Sequence, residues 1–184
     1  EQEEYRSWLV ALIRTYPVIL LDHNYTLVSN SESKKRPFSR QIEQEEYRSW
    51  LVALIRTYPV VLITARPEKY RGETLARIKE QLRFEPDLAC FNEHDLPPPQ
   101  SKRRALDEHV FPRFGAPLSA PKSGESAPEV TRGYVAIESN PKTRAMYASL
   151  GIPSLTYARK LEVDGDKVTV HREHEEGWDI AEAN

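Results

Sequence analysis

The sequence predicts an α/β protein in which a parallel sheet lies between two layers of helices. Two features of the chain lead to this prediction: continuous apolar runs of strand length, and amphipathic helical segments that alternate with them. A strand of a parallel sheet is buried on both faces, so its sequence is an uninterrupted apolar run. Strands that alternate with helices form βαβ units, whose helices cover both faces of the sheet. We therefore expect a Rossmann-like, three-layer α/β/α architecture.

The strands and helices are placed by hydrophobic periodicity and by proline. Five strands are expected, at residues 17–22, 59–64, 87–91, 133–139 and 152–158. Four helices are expected between or after them, at residues 39–57, 65–82, 101–110 and 141–151. Pro59 ends the first of these helices, Pro97–Pro99 breaks the chain before the third, and Pro141 suits the start of the fourth.

Side-chain pattern and turn residues add detail to this order of elements. The helix at 65–82 should face inward through its regularly spaced apolar residues Leu75, Ile78 and Leu82. Polar residues within 25–42 indicate a turn or short flap, and the Pro-, Ser- and Gly-rich residues 115–130 indicate a loop. The alternating pattern around Asp164-Gly165 predicts a terminal hairpin.

The size and charge of the chain fit a single domain with a full hydrophobic core. The chain has 184 residues, a net charge of -2 and 29% charged residues, so a strongly basic nucleic-acid surface is not expected overall. The single cysteine, Cys90, cannot form an intramolecular disulfide and is typical of a reducing compartment. Neither a signal peptide nor a bilayer-spanning apolar run is recognised. We expect a cytoplasmic protein with no membrane partner.

An identical repeat divides the chain. Residues 1–18, EQEEYRSWLVALIRTYPV, recur without a substitution at 43–60, which indicates a recent duplication or deliberate engineering. Each copy predicts an amphipathic helix that leads into a strand. We therefore expect a duplicated helix at 1–17, a copy of 43–59, followed by one domain at 18–184. The two helices could compete for one groove or exchange between chains to form a homodimer; alternatively, the extra helix packs on the sheet without a role in chemistry.

Polar side chains follow three of the predicted strands directly. Asp22 and Asn24 follow the first strand, Thr64 ends the second, and Glu138 and Ser139 end the fourth. Ligands of open α/β sheets bind beyond the carboxyl ends of the strands, where these residues should converge. The alternative for Asp22 is an ordinary turn cap, and for Thr64 a helix cap.

This order of motifs resembles the haloacid dehalogenase (HAD) superfamily, over roughly Val18 to Ala158. The family's first motif, Asp-x-Asp-x-Thr after an apolar strand, is matched by Asp22-His23-Asn24-Tyr25-Thr26 except at its third position. Its strand-ending Thr or Ser is matched by Thr64, and its acidic pair by Glu138 but not by Ser139. For its helix-borne lysine we choose Lys102, with Lys122 in reserve. The nearest similarity is to small uncapped phosphatases, including the phosphatase domain of polynucleotide kinases.

The resemblance implies a phosphomonoesterase that depends on a magnesium ion (Mg²⁺) and acts through an aspartyl-phosphate on Asp22. The implied catalytic residues are Asp22, Asn24, Thr64 and Lys102. The implied metal ligands are Asp22, Asn24 through its backbone carbonyl, Glu138 and Ser139. Thr26 and Arg66 are expected to bind substrate.

Asn24 departs from the family pattern at the position of the general acid. A carboxyl group there protonates the leaving oxygen, which an amide cannot do near neutral pH. Three explanations stay open. The residue was changed to trap an intermediate; the enzyme uses another acid such as His23, or an activated leaving group; or the protein is an inactive binding or regulatory module. For the chain as a whole, a separate alternative is a protein engineered around the duplicated helix.

The substrate class is suggested by the absence of room for a cap domain between the motifs. An open site in this superfamily suits large substrates such as nucleic-acid ends or phosphoproteins. Two basic clusters fall near the predicted sheet edge, at Lys34, Lys35 and Arg36 and at Lys102, Arg103 and Arg104. They would favour a nucleic-acid or nucleotide phosphate end; the alternative is a solvated run of charges.

Overall fold

A parallel sheet of five strands organises the protein. The structure, a computed structural model, describes residues 18–31, 35, 37–117, 131–156, 160–164 and 167–171. The strands are β1 (Val18–Leu21), β2 (Val60–Pro67), β3 (Leu88–Asn92), β4 (Tyr134–Ile137) and β5 (Ser154–Leu155). Their order across the sheet is β3-β2-β1-β4-β5, and every pairing is parallel. The predicted parallel α/β sheet is therefore confirmed, with β1 at its centre.

The helices cover the two faces of this sheet. They are α1 (Phe38–Glu43), α2 (Ser49–Ile55), α3 (Arg71–Leu82), α4 (Pro98–Ala105), α5 (Phe111–Phe114) and α6 (Pro141–Ser149). Side chains of β1 alternate between the faces: Ile19 and Leu21 belong to the core beneath α2 and α3, whereas Val18 and Leu20 belong to the core beneath α4 and α6. The three-layer arrangement follows from these two cores.

The predicted helix at 39–57 was wrong in one respect, because the chain forms two helices there. Between α1 and α2 the residues 44–48 leave the helical path, and Tyr47 forms an antiparallel bridge with Val28. The Arg48 side chain donates to the backbone oxygens of Thr26 at 2.7 Å and Val28 at 3.0 Å. These buried carbonyls need donors, so contacts distant in sequence override the local helical periodicity.

Most other predicted elements agree with the structure within a few residues. The helix expected at 65–82 begins only at Arg71, because β2 continues to Pro67 and a short 3-10 helix, Glu68–Tyr70, follows it. Ile78 of α3 is fully buried, with Leu75 and Leu82 packed partly buried against the same core. The helix expected at 101–110 begins earlier, because Pro98 and Pro99 occupy a first turn in which their missing N–H groups have no role. The terminal hairpin is confirmed as antiparallel strands Lys160–Asp164 and Lys167–His171.

Several predictions fall on residues outside those described. They include the first copy of the repeat at 1–17 and most of the loop at 115–130. Among the described helices, none is both long and apolar enough to span a bilayer.

Candidate active site

Asp22 lies at the carboxyl end of the central strand, between the ends of β2 and β4. Its backbone N–H donates to the Ile137 carbonyl at 2.9 Å, which holds the start of the following turn against β4. The side chain is buried, with only 6% of the residue exposed. Since a carboxylate at this depth needs polar partners, its neighbours define the site.

Lys102 supplies the main charge partner of Asp22. Its Nζ atom, from α4, lies 2.6 Å from Asp22 Oδ1 and 2.6 Å from Glu138 Oε2. Burial opposes the charged form of Lys102, but the two carboxylates outweigh it and raise the pKa of the lysine above its usual value. The lysine therefore remains an ammonium at neutral pH and bridges the two acids. The choice of Lys102 at the sequence level matches this geometry.

Glu138 is the second carboxylate of the cluster and follows β4. Burial, and after it the charge of Asp22, raises the pKa of Glu138, while Lys102 acts in the opposite direction. Its Oε1 atom accepts the backbone N–H of Asn140 at 2.8 Å. Both carboxylate oxygens thus have donors, which fixes the side chain beneath the sheet edge.

Two hydroxyl groups converge on the other oxygen of Asp22. Thr26 Oγ1 and Ser139 Oγ each donate to Asp22 Oδ2, and both distances are 3.2 Å. Ser139 Oγ also lies 3.4 Å from the backbone carbonyl oxygen of Asn24. The structure therefore brings together residues that the sequence analysis selected from three separate segments.

The Asn24 side chain faces a second, adjacent polar cluster. Its Oδ1 atom accepts from Arg66 Nη2 at 3.1 Å and lies 3.1 Å from His23 Nδ1. Burial, and then the charge of Arg66, lowers the pKa of His23 well below its usual value, so this imidazole is neutral. A neutral ring with its proton on Nδ1 donates to Oδ1. His23 is thus a hydrogen-bond donor to Asn24 rather than a charged acid.

Glu45 anchors this second cluster and was missed by the sequence analysis. Its carboxylate accepts from both terminal nitrogens of Arg66, with Nη1 at 3.3 Å from Oε2, and from the Tyr47 hydroxyl at 3.0 Å. Arg66 Nη1 also donates to Thr74 Oγ1 at 2.8 Å. Within a predicted helix Glu45 resembled a surface residue; the one available signal was a cation, Arg66, directly after a buried strand.

Thr64 lies near the carboxyl end of β2, as predicted, and Arg66 lies in the same strand rather than in the expected helix. The Thr64 hydroxyl is buried and accepts the backbone N–H of Arg66 at 3.1 Å. The Arg66 side chain is bound by partners inside the protein, and its expected contact with substrate stays a prediction. Lys122, the reserve choice for the catalytic lysine, lies outside the described residues.

The donor set around Asp22 suits a hard cation. Two carboxylates, the Asn24 carbonyl and the Ser139 hydroxyl offer only oxygen atoms, which Mg²⁺ prefers, usually with several waters. Within the described ranges, no group of three or more His, Cys, Asp and Glu residues is placed to hold a metal ion. The chemistry of the donors thus fits Mg²⁺, with two carboxylates rather than three.

The basic clusters are largely paired where the structure describes them. Arg103 and Arg104 form ion pairs one helical turn away, with Asp107 and Glu108, at 2.8 Å each. Lys35 donates to the Gln44 side chain, while Lys34 and Arg36 lie outside the described residues. Pairing reduces the positive charge these arginines offer to a polyanion.

Comparison with known proteins gives little on which to base a family assignment. No family model matches the chain. A segment of 34 residues is 62% identical to the electron transfer flavoprotein subunit beta of Megasphaera elsdenii, and this covers 18% of the chain. The chain spans 13% of the length of that protein.

Proposed function

We propose that this protein is a Mg²⁺-dependent phosphomonoesterase of the HAD type, with Asp22 as nucleophile. The observation that carries the proposal is the ammonium of Lys102, 2.6 Å from both Asp22 and Glu138 at the carboxyl end of the central strand. A buried carboxylate that is paired with a lysine ammonium is suited to attack phosphorus. The site's oxygen donors and its position in the sheet support the same reaction.

The reaction uses the described residues in two steps. In the first, an Asp22 oxygen forms a bond to phosphorus while the bond between phosphorus and the leaving oxygen breaks. In the second, water attacks phosphorus and the Asp22 carboxylate is released. Lys102 and the hydroxyls of Thr26 and Thr64 would hold oxygens during the charge shift. Asp22, Glu138 and the Asn24 carbonyl, with Ser139 beside them, would hold Mg²⁺, which neutralises phosphate charge when bound.

A second candidate function is phosphate binding without turnover, in a regulatory module. One observation favours it: the residue at the acid–base position is an amide whose oxygen already accepts from Arg66. A nucleic-acid or nucleotide phosphate end, which the basic clusters suggest, is our proposed ligand for this binding module. Helix exchange through the repeated segment remains a prediction, and a monomeric solution mass would count against it.

Hydrolysis of para-nitrophenyl phosphate, with and without Mg²⁺, tests the proposal. We expect Mg²⁺-dependent turnover in the wild type and none above background in Asp22→Asn. Asp107→Asn is the matched control, because Asp107 is an exposed carboxylate paired with Arg103 on the outer surface. Equal activity of wild type and Asp22→Asn refutes the nucleophile. Phosphate-dependent thermal stabilisation that is lost in Lys102→Met, without turnover, indicates the binding module.

A further inference from the structure

The orientation of the Asn24 amide is decided by Arg66. A guanidinium group has only donors, so the Asn24 atom that faces Arg66 Nη2 at 3.1 Å must be the oxygen. The amide nitrogen of Asn24 then lies on the other side of the group, and among the described residues it has no hydrogen-bond partner. Asn24 is also only half-buried. Two N–H donors of this side chain are therefore available to a ligand.

Arg66 is itself held in place, so it fixes the amide rather than following it. The Glu45 carboxylate accepts from both of its terminal nitrogens, and these side chains are 2% and 0% exposed, respectively. Thr74 accepts from the guanidinium as well, and the Phe38 ring lies 5.1 Å from its central carbon. A planar group bound on several sides has little freedom to release the Asn24 oxygen.

Asn24 is also tied to the cluster that contains the nucleophile. Its backbone carbonyl lies 3.4 Å from the Ser139 hydroxyl, which is 3.2 Å from Asp22 Oδ2. The amide donors of Asn24 thus belong to a residue adjoining the reacting carboxylate. An amide donates hydrogen bonds to a developing negative charge but transfers no proton.

We propose that Asn24 is a hydrogen-bond donor to the leaving oxygen, so that the substrates are phosphates whose leaving groups depart as stable anions. Acyl phosphates and phosphates of acidic phenols form this class. The bond from Asp22 to phosphorus forms, the bond to the leaving oxygen breaks, and the electron pair leaves with that oxygen while Asn24 keeps its protons. Water then attacks phosphorus, the bond to Asp22 breaks, and the proton from water passes to solvent. This inference rests on the proposed function.

A series of aryl phosphates with leaving groups of increasing acidity, from phenyl to dinitrophenyl, tests the proposal. We expect log kcat/KM of the wild type to rise steeply with leaving-group acidity. Asn24→Asp supplies a proton and should flatten this dependence, with a gain of about 10²–10⁴-fold for phenyl phosphate and little gain for dinitrophenyl phosphate. Asn24→Ala should keep the steep dependence and lose about 10²-fold throughout.

Arg66→Met separates positioning from general structural support. If Arg66 acts by fixing the amide, this substitution should lower kcat for dinitrophenyl phosphate in the wild type and cost much less in Asn24→Ala. Equal losses in both backgrounds would show that Arg66 serves stability alone.

Each outcome of these experiments decides between the inference and the function on which it rests. An Asp22-dependent activity with the same shallow slope in wild type and Asn24→Asp overturns the inference and leaves the phosphatase intact. Absence of phosphate release and of a phosphorylated protein, by intact-mass analysis after incubation with dinitrophenyl phosphate, overturns both. A mass increase that disappears in Asp22→Asn, together with the steep slope, supports both.

Discussion

Replacing Glu45 with glutamine tests the buried charge pair beside the site. Glu45→Gln keeps the size of the side chain but leaves the Arg66 guanidinium without an anion, at a position where the two side chains are 2% and 0% exposed. Removing one partner of a buried pair costs about 3–5 kcal/mol. Since Asn24 and Thr74 still accept from Arg66, we expect the lower end, about 3 kcal/mol of unfolding free energy. For a chain of this length the melting temperature should fall by about 6–12 °C.

The repeat provides a matched control for this substitution. Glu3 stands in the same local sequence as Glu45 but lies outside the described residues. Urea unfolding followed by tryptophan fluorescence should show the loss in Glu45→Gln and none in Glu3→Gln. A loss below about 1 kcal/mol in Glu45→Gln would refute the reasoning, because an exposed ion pair is worth that little. Equal losses of unfolding free energy in both variants would mean that either copy of the repeat can place its glutamate beside Arg66.

The remaining predictions concern local stability and thiol reactivity. Asn140→Ala should lower the unfolding free energy by about 1 kcal/mol, because the Asn140 side chain caps α6 by accepting the Thr143 N–H at 2.9 Å. Asn140→Ser keeps a capping side chain and should retain most of the wild-type stability. Equal urea midpoints for both variants and the wild type would contradict the cap. Burial raises the pKa of the Cys90 thiol to about 11, so at about pH 8 the thiol stays neutral and a disulfide reagent should label it only after unfolding. Labelling of the native protein at the rate found in denaturant would contradict this.

The sheet and most of the site could be predicted because their signals are local. A buried parallel strand must be apolar throughout, so β1 and the Asp22 that follows it are visible in the sequence. The carboxyl ends of parallel strands share one edge, and this rule alone is enough to predict that Glu138 lies near Asp22. Lys102 needed the family resemblance as well, since nothing in its own segment distinguishes it from Arg103.

The second cluster could not be predicted, because its causes are distant in sequence. Glu45 and Arg48 lie in a segment with helical periodicity, yet the chain leaves the helix there. Glu45 then accepts from Arg66, and Arg48 donates to backbone carbonyls of the turn that follows β1. Tyr25 in the same turn has a positive φ of 60°. Tertiary contacts of this kind outweigh local preference, which differs by less than about 1 kcal/mol per residue. The orientation of the Asn24 amide depends on these contacts, so it could not be predicted from the sequence either.

The central place of β1 has a consequence for the time at which the site can form. On one side β1 pairs with β2, the next strand in the chain. On the other side it pairs with β4, Tyr134–Ile137, which is synthesised much later. During synthesis, one edge of β1 stays open to pairing with other chains until those residues emerge. Lys102 meanwhile has only one of its two carboxylates. Long-range pairing of this kind slows folding, so Asp22 reaches its complete set of partners only after β4 has joined the sheet.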